Sequence, residues 1–262
     1  MRSRWALPRE QQALQELWKL CFGDDESVTD CFFALFPPKL HTRVIEEDGK
    51  IAAMASWLPT TLHMDGGTFP GAYIYAVATH PEFRGRGLCR SLMEELEHSL
   101  LLQDRVFASL CPAGDSLYRF YGAMGYETAF YHDTANLKAD KTPGKMQQIS
   151  PSAYLSLRES FLSMPHCEWT REAIDYLSAT GCRFYRLEKG GCATVQQGSG
   201  ENLRVLELLS EDNNSAVSAL CQAFGAEAAE VSFPGEAQPH GMLKWLKNKQ
   251  KMAPCYFGFA FD

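Results

Sequence analysis

The 262-residue chain carries a formal net charge of −7, which argues against nucleic acid or an anionic membrane as its main partner. Its 45% hydrophobic and 12% aromatic content is that of a globular protein, long enough for two domains of ordinary size. Nine scattered cysteines without CxxC pairs, no signal-peptide pattern and no apolar run of membrane-spanning length predict a cytoplasmic protein with reduced thiols.

The first 80 residues are predicted to form two helices followed by three strands. Apolar periodicity places the helices at about residues 8–21 and 24–36, each ended by glycine or proline. β-Branched and aromatic residues place the strands at residues 42–47, 51–58 and 71–79. Asp48 and Gly49, between the first two strands, predict a hairpin turn.

A short loop rich in arginine and glycine follows the third strand. Its glycines, Gly85 and Gly87, let the backbone turn sharply and approach a ligand closely. From Leu88 onward leucines recur every four residues, which predicts an amphipathic helix with its glutamates, such as Glu97, largely off the apolar line. The first turn of that helix directs unpaired N–H groups and the positive end of its dipole toward the loop. Such a site favours an anion, and a pyrophosphate fits it best. The alternative is a solvated turn that only joins two elements.

The remainder of the chain alternates strands and helices. Strands at residues 105–110 and 126–132 with a helix at 115–124 between them predict an α/β fold with a mixed sheet for the first half. Polar residues 138–150 predict a linker. The second half is predicted, in order, as helices 154–161 and 170–179, strands 182–187, 192–197 and 202–209, helix 214–224, strand 230–233, helix 240–247 and strand 255–261.

The order of elements in the second half loosely repeats that of the first, without an arginine–glycine loop. This order predicts a degenerate internal duplication, with domains at residues 1–138 and 146–262. An unrelated α+β packing domain in the second position is the alternative.

The loop and a later tyrosine motif resemble the signatures of the GNAT superfamily of acyl-CoA-dependent N-acetyltransferases. Arg84, Gly87 and Cys89 occupy the fixed positions of the superfamily's pyrophosphate signature, Arg/Gln-x-x-Gly-x-Gly/Ala, and Cys89 departs from that pattern. Tyr121, followed shortly by glycine and Tyr126, matches the second motif.

The resemblance covers about the first 135 residues and is closest to the enhanced-intracellular-survival-like branch. Members of that branch place a second, degenerate acetyltransferase-like domain after the first. Gly114 stands where relatives often have an asparagine, seven residues before the motif tyrosine, which removes one contact to the cofactor.

The resemblance implies acetyl-CoA as the acyl donor and an amine as the acceptor. Residues 77–79 of the third strand would pair with the pantetheine arm and offer a backbone N–H to the thioester oxygen. The implied cofactor-binding residues are Val77, Ala78, Thr79, Arg84, Gly85, Arg86, Gly87, Leu88 and Cys89.

Tyr121 is the predicted general acid, because a phenol that stays protonated at neutral pH can protonate the departing thiolate. The alternative for Tyr121 is an ordinary core aromatic. Residues 73–77 hold no carboxylate that could act as general base, and the resemblance implies the C-terminal carboxylate, at Asp262, instead. A solvated chain end and a water relay from a more distant acid are the alternatives.

The sequence therefore predicts an acetyl-CoA-dependent N-acetyltransferase that acts on a primary amine of a small molecule or peptide. The alternative is a non-catalytic acyl-CoA-binding regulatory protein, which the lack of an obvious base favours. No metal is expected, because the seven histidines show no HExxH or comparable spacing. Self-association into a homo-oligomer and the identity of the amine are left open.

Overall fold

The computed structural model describes residues 3–140, 144–196 and 203–261. Within these ranges the helices are α1 (Gln11–Phe22), α2 (Glu26–Leu35), α3 (Pro38–His41), α4 (Leu88–Leu101), α5 (Asp115–Gly122), α6 (Pro151–Phe161), α7 (Arg171–Ala179) and α8 (Asn213–Phe224). The strands are β1 (Arg4–Trp5), β2 (Thr42–Glu47), β3 (Lys50–Met64), β4 (Gly67–Thr79), β5 (Phe107–Leu110), β6 (Glu127–Lys138), β7 (Met146–Ile149), β8 (His166–Trp169), β9 (Cys182–Leu187), β10 (Cys192–Gln196), β11 (Leu203–Leu209), β12 (Ala228–Trp245) and β13 (Cys255–Tyr256).

The described residues form two compact units. Unit 1 contains those of Met1–Thr61, Thr68–Glu127 and Met242–Lys251. Unit 2 contains those of Leu62–Gly67, Thr128–Gly241 and Met252–Asp262. The assignment of residues 1–138 and 146–262 to two successive domains of acetyltransferase type stays a prediction.

The sheet of unit 1 is built from β1 to β5 and the last residues of β12. β1, β2 and β3 pair antiparallel, and Asp48 (φ 52°) and Gly49 (φ 73°) form the tight turn of the β2–β3 hairpin. β4 pairs with β3 on one side and, in parallel, with β5 on the other. β5 in turn pairs antiparallel with residues 242–245 of β12.

Helices cover both faces of this sheet. The predicted leucine stripe of α4 is confirmed, since Leu92, Leu96 and Leu100 are fully buried in the core. On the opposite face, α1 and α2 contribute to an aromatic cluster. The ring centre of Trp18 lies 5.1 Å from that of Phe32 and 5.5 Å from that of Tyr75 in β4. The result is an α/β layer arrangement in which helix α4 follows directly from the β4 strand and its loop.

Unit 2 is also mixed. β7 pairs with β9, β9 with β10 and β10 with β11, all antiparallel, and β11 pairs in parallel with residues 229–231 of β12. β13 pairs in parallel with both β6 and β8. None of the helices in the described ranges is long and apolar enough to cross a membrane.

The helix predicted at residues 240–247 is wrong, because residues 240–245 form the end of β12. Met242 and Leu243, 3% and 2% exposed, pair with β5, so tertiary pairing decides the conformation rather than local propensity. The last predicted strand is also shorter than expected, since only Cys255–Tyr256 is strand. β7 and β8 were not predicted, and β7 lies in the presumed linker.

Candidate active site

Strand β4 is kinked three residues before its end. Ala76 has a φ of 50°, a left-handed conformation that costs an L-residue about 1–2 kcal/mol. The parallel ladder with β5 runs only over residues 71–73 of β4, so the part of the strand that contains Ala76 continues beyond it. The kinked strand end at residues 77–79 is thus a backbone edge suited to an extended ligand. The sequence carried no signal for this kink, because alanine has no preference for positive φ.

The loop after β4 ends in a helix N-terminus that no side chain caps among the described residues. Gly85 and Gly87 have φ values of 77° and 78°, which glycine adopts without strain. A Cβ atom added at either position would meet nothing within 4 Å, so the space in front of the loop is open. The N–H groups of the first turn, including those of Leu88 and Cys89, have no intrahelical acceptor and lie at the positive end of the α4 dipole. The loop therefore has the properties of an anion site.

The two loop arginines differ in how their charge is used. Arg84 Nε donates to the backbone carbonyl of Thr79 at 3.1 Å, which joins the loop to the end of β4. The Arg86 guanidinium lies 3.3 Å from the Glu47 carboxylate and 5.0 Å from the centre of the Phe83 ring. Glu47 therefore offsets part of the Arg86 charge, whereas Arg84 is held against a neutral carbonyl.

Tyr121 lies in α5 and is 8% exposed, within the same hydrophobic cluster that Cys89 packs against. Burial, with a smaller contribution from Cys89, raises the pKa of Tyr121 above its ordinary value, so the phenol keeps its proton at neutral pH. Burial likewise raises the pKa of the Cys89 thiol to about 11. The structure therefore brings Cys89 of the loop motif and Tyr121 of the second motif into one buried environment.

One acidic side chain near this site is buried, although the sequence pattern placed it off the apolar line of α4. Glu97, expected on the polar side of α4, is 7% exposed and accepts a 2.9 Å hydrogen bond from the Tyr126 hydroxyl. Lys244 of β12 donates to the other Glu97 oxygen at 2.5 Å. Both carboxylate oxygens are thus engaged, which suits a positioning role better than that of a general base. Local spacing could not reveal it, because Lys244 is 147 residues from Glu97.

Asp262, the predicted base, lies outside the described residues. The segment that leads to it is well packed within unit 2: Phe257, Phe259 and Phe261 are 0%, 2% and 6% exposed. The ring of Trp169 lies 4.9 Å from that of Phe257 and 5.0 Å from that of Phe261. Up to Phe261, then, the terminal segment is held in the core of unit 2.

Comparison with protein families finds a match over the N-terminal part of the chain. Residues 4–129 match the family model of the acetyltransferase (GNAT) domain. This range contains the kinked strand, the arginine–glycine loop, α4 and Tyr121. No curated protein matches the chain.

Solved structures share the fold across both units. A GCN5-related N-acetyltransferase from Anabaena variabilis is 18% identical with a TM-score of 0.75, covering 94% of this chain and 73% of that one. A GCN5-related N-acetyltransferase from Kribbella flavida is 17% identical, with a TM-score of 0.72 and coverage of 93% and 70%. Eis1 from Mycobacterium abscessus is 13% identical, with a TM-score of 0.68 and coverage of 94% and 74%. At these identities the likeness shows the fold alone, whereas the match of residues 4–129 to the family model confirms the GNAT resemblance drawn from the sequence.

Proposed function

We propose that this chain, which through residues 4–129 belongs to the GNAT acetyltransferase family, transfers the acetyl group of acetyl-CoA to a primary amine of a small molecule or peptide. The observation that carries the proposal is the uncapped N-terminus of α4, which follows the kinked end of β4 and an open glycine loop. A donor with a pyrophosphate and an extended arm matches both features.

In this proposal the pyrophosphate of CoA binds at the arginine–glycine loop. The N–H groups of Gly87, Leu88 and Cys89 donate to its oxygens, and the α4 dipole adds to the attraction. Arg84 contributes positive charge from the position in which Thr79 holds it. Gly85 and Arg86 complete the loop.

The pantetheine arm extends along the end of β4. Val77, Ala78 and Thr79 follow the Ala76 kink and supply backbone groups for hydrogen bonds to the arm. One of their N–H groups would stabilise the negative charge that develops on the thioester oxygen during attack.

The transfer forms one C–N bond and breaks one C–S bond. The lone pair of the amine attacks the thioester carbonyl carbon, and the tetrahedral adduct then expels the CoA thiolate. Tyr121 donates its phenolic proton to the thiolate. The surplus proton on nitrogen is taken up by a base, for which the main-chain carboxylate of Asp262 is the candidate.

The raised pKa of Tyr121 is compatible with this role only if the thiolate is also a stronger base than in water. The neighbouring Cys89 supports that condition, because burial raises the pKa of its thiol above the ordinary value, to about 11. A CoA thiolate in the same surroundings would experience the same desolvation, so donor and acceptor are shifted in the same direction.

Release of CoA thiol from acetyl-CoA, measured against a panel of amines, tests the proposal. We expect turnover with at least one amine and a loss of kcat of at least about 100-fold in Tyr121→Phe, with the Kd of acetyl-CoA unchanged. Tyr185→Phe is the matched control, since Tyr185 is 7% exposed but lies in the core of unit 2.

The same experiment separates the regulatory alternative. That alternative is favoured by the absence of any carboxylate in residues 73–77. Acetyl-CoA binding without turnover across the panel would support it and contradict the enzyme, whereas a protein that does not bind acetyl-CoA would contradict both.

A further inference from the structure

Three side chains of unit 2 that are suited to bind a metal converge at one place. His63, near the end of β3, Glu159 in α6 and His166 at the start of β8 each place a ligand atom within 4.8 Å of the other two. Glu168 joins them, because its Oε2 lies 2.7 Å from Nε2 of His63. About 100 residues separate His63 from the other three, so no spacing in the sequence announces the group.

The hydrogen bonds of His166 leave a lone pair directed at a carboxylate. Its Nδ1 lies 2.7 Å from the backbone carbonyl oxygen of Met164, which can only accept, so Nδ1 carries the proton. In the neutral ring Nε2 then has no hydrogen, yet it lies 2.9 Å from Oε2 of Glu159. Two lone pairs at this distance are held together either by a second proton on His166 or by a metal ion.

His166 and Glu159 are each oriented by a further hydrogen bond. The Met164 carbonyl fixes the tautomer of His166, which is the usual arrangement for a histidine that binds metal through its other nitrogen. Arg158, fully buried, donates to Oε1 of Glu159 at 2.8 Å and so leaves Oε2 directed at the cluster.

A second proton on His166 would satisfy that histidine and Glu159, but it would not involve His63. The two imidazole rings lie with their centres 5.0 Å apart and within 10° of parallel, so both border the same space. A metal ion there can bind a ring nitrogen of each histidine and Oε2 of Glu159 together.

We propose that His63, Glu159 and His166 bind one divalent transition-metal ion, with Zn²⁺ as the best match to two imidazoles and a carboxylate, and that Glu168 orients the ring of His63 through its hydrogen bond. Tetrahedral Zn²⁺ with bonds of about 2.0–2.2 Å requires its ligand atoms to lie about 3.3–3.5 Å apart. The separations of up to 4.8 Å therefore have to contract, and the 2.9 Å between His166 Nε2 and Glu159 Oε2 has to widen slightly. His63, with a side chain 34% exposed, has room to turn its ring.

All three ligands belong to unit 2, whereas the arginine–glycine loop and Tyr121 belong to unit 1. The ion therefore stabilises unit 2 by joining the end of β3 to α6 and β8, and it takes no part in acetyl transfer. This makes the proposal independent of the proposed activity.

Calorimetric titration of the chelator-treated full-length chain with Zn²⁺ tests the site. We expect one equivalent to bind and to raise the melting temperature, and we expect His166→Ala and His63→Ala each to weaken binding by at least about 100-fold. His98→Ala is the matched control, because His98 is exposed on α4 of unit 1, and it should bind as the wild type does.

Co²⁺ used as a spectroscopic substitute distinguishes this site from the nine cysteines. A visible spectrum of tetrahedral cobalt without a cobalt–thiolate band is expected, whereas such a band would assign the metal to cysteine and overturn the proposal. Wild-type protein that fails to bind Zn²⁺, or histidine variants that bind it unchanged, would overturn it too. Glu168→Gln, at a side chain 43% exposed, is expected to lose about 10-fold in affinity and decides the matter if a histidine variant does not fold.

Discussion

The guanidinium of Arg158 and the carboxylate of Glu207 form a fully buried ion pair, with Nε 3.1 Å from Oε2 and both side chains at 0% exposure. Tyr154 donates its hydroxyl to the same carboxylate. Arg158 also donates to the backbone carbonyls of Cys167, at 2.8 Å, and Phe257, at 3.5 Å. This pair therefore connects α6 and β11 to the segment that follows β13.

Arg158→Met should destabilise the protein by about 3–5 kcal/mol, because it leaves the Glu207 charge buried without its partner. Adding Glu207→Gln should restore most of that loss, since the amide is uncharged and still accepts from Tyr154. Urea unfolding of the two variants measures both effects. Equal destabilisation of the single and the double variant would show that the loss comes from packing rather than from the stranded charge.

Gly87→Glu should weaken acetyl-CoA binding by at least about 100-fold, because it puts a negative side chain at the helix N-terminus that is proposed to hold the pyrophosphate. Gly225→Glu is the control, because Gly225 also has a positive φ, of 68°, ends α8 and has nothing within 4 Å of an added Cβ. Backbone strain should lower the free energy of unfolding of both variants by about 1–2 kcal/mol. Only Gly87→Glu should lose affinity for acetyl-CoA, as measured by calorimetry. Retained affinity in Gly87→Glu would mean that the loop is only a turn.

One glycine appended after Asp262 should lower kcat by at least about 100-fold if the main-chain carboxylate of Asp262 is the base. The extension converts that carboxylate into a peptide bond and moves the chain's carboxylate one residue further along. The Kd of acetyl-CoA should not change. Asp262→Asn, which keeps the main-chain carboxylate, is the control and should stay active. Full activity of the extended chain would remove Asp262 from the mechanism and favour a water relay.

The stability of unit 2 should decrease in mild acid because of His240. Its ring lies 4.1 Å from that of His132, and burial, with the His132 charge, lowers the pKa of His240 from 6.5 to about 3. The folded protein keeps this ring neutral, whereas the unfolded chain binds a proton below about pH 6.5, so stability falls as the pH drops from 6.5 toward 3.

Between pH 6.5 and pH 5 the free energy of unfolding should fall by about 2 kcal/mol through His240, at about 1.4 kcal/mol for each pH unit. His240→Phe should abolish that part of the pH dependence, as measured by urea unfolding at pH 7 and pH 5. His98→Phe, on an exposed position of α4, should keep the wild-type pH dependence. An unchanged slope in His240→Phe would exclude His240 as the cause.

Local patterns predicted the parts of the candidate site that are local in origin. The leucine stripe of α4 and the glycines before it determine a strand–loop–helix unit through contacts between residues close in sequence. Tyr121 was found through its spacing to Gly125 and Tyr126. These features need no knowledge of distant segments.

The features that the sequence did not predict depend on partners far along the chain. Residues 242–245 have a pattern compatible with a helix and become strand because β5, with Leu110 opposite Met242, offers a free pairing edge. Glu97 is buried because Tyr126 and Lys244 satisfy both its oxygens. The group around His166 likewise assembles only when β3, α6 and β8 meet.

The pairing of β5 with the end of β12 also has a consequence for biosynthesis. Because the chain is made from its N-terminus, β5 emerges from the ribosome more than 100 residues before the strand that pairs with it. During that interval one edge of β5, whose four residues are all buried in the finished protein, has no partner and can pair with other chains. A fragment ending at residue 138, which lacks residues 242–245, should therefore aggregate more readily than the full-length chain.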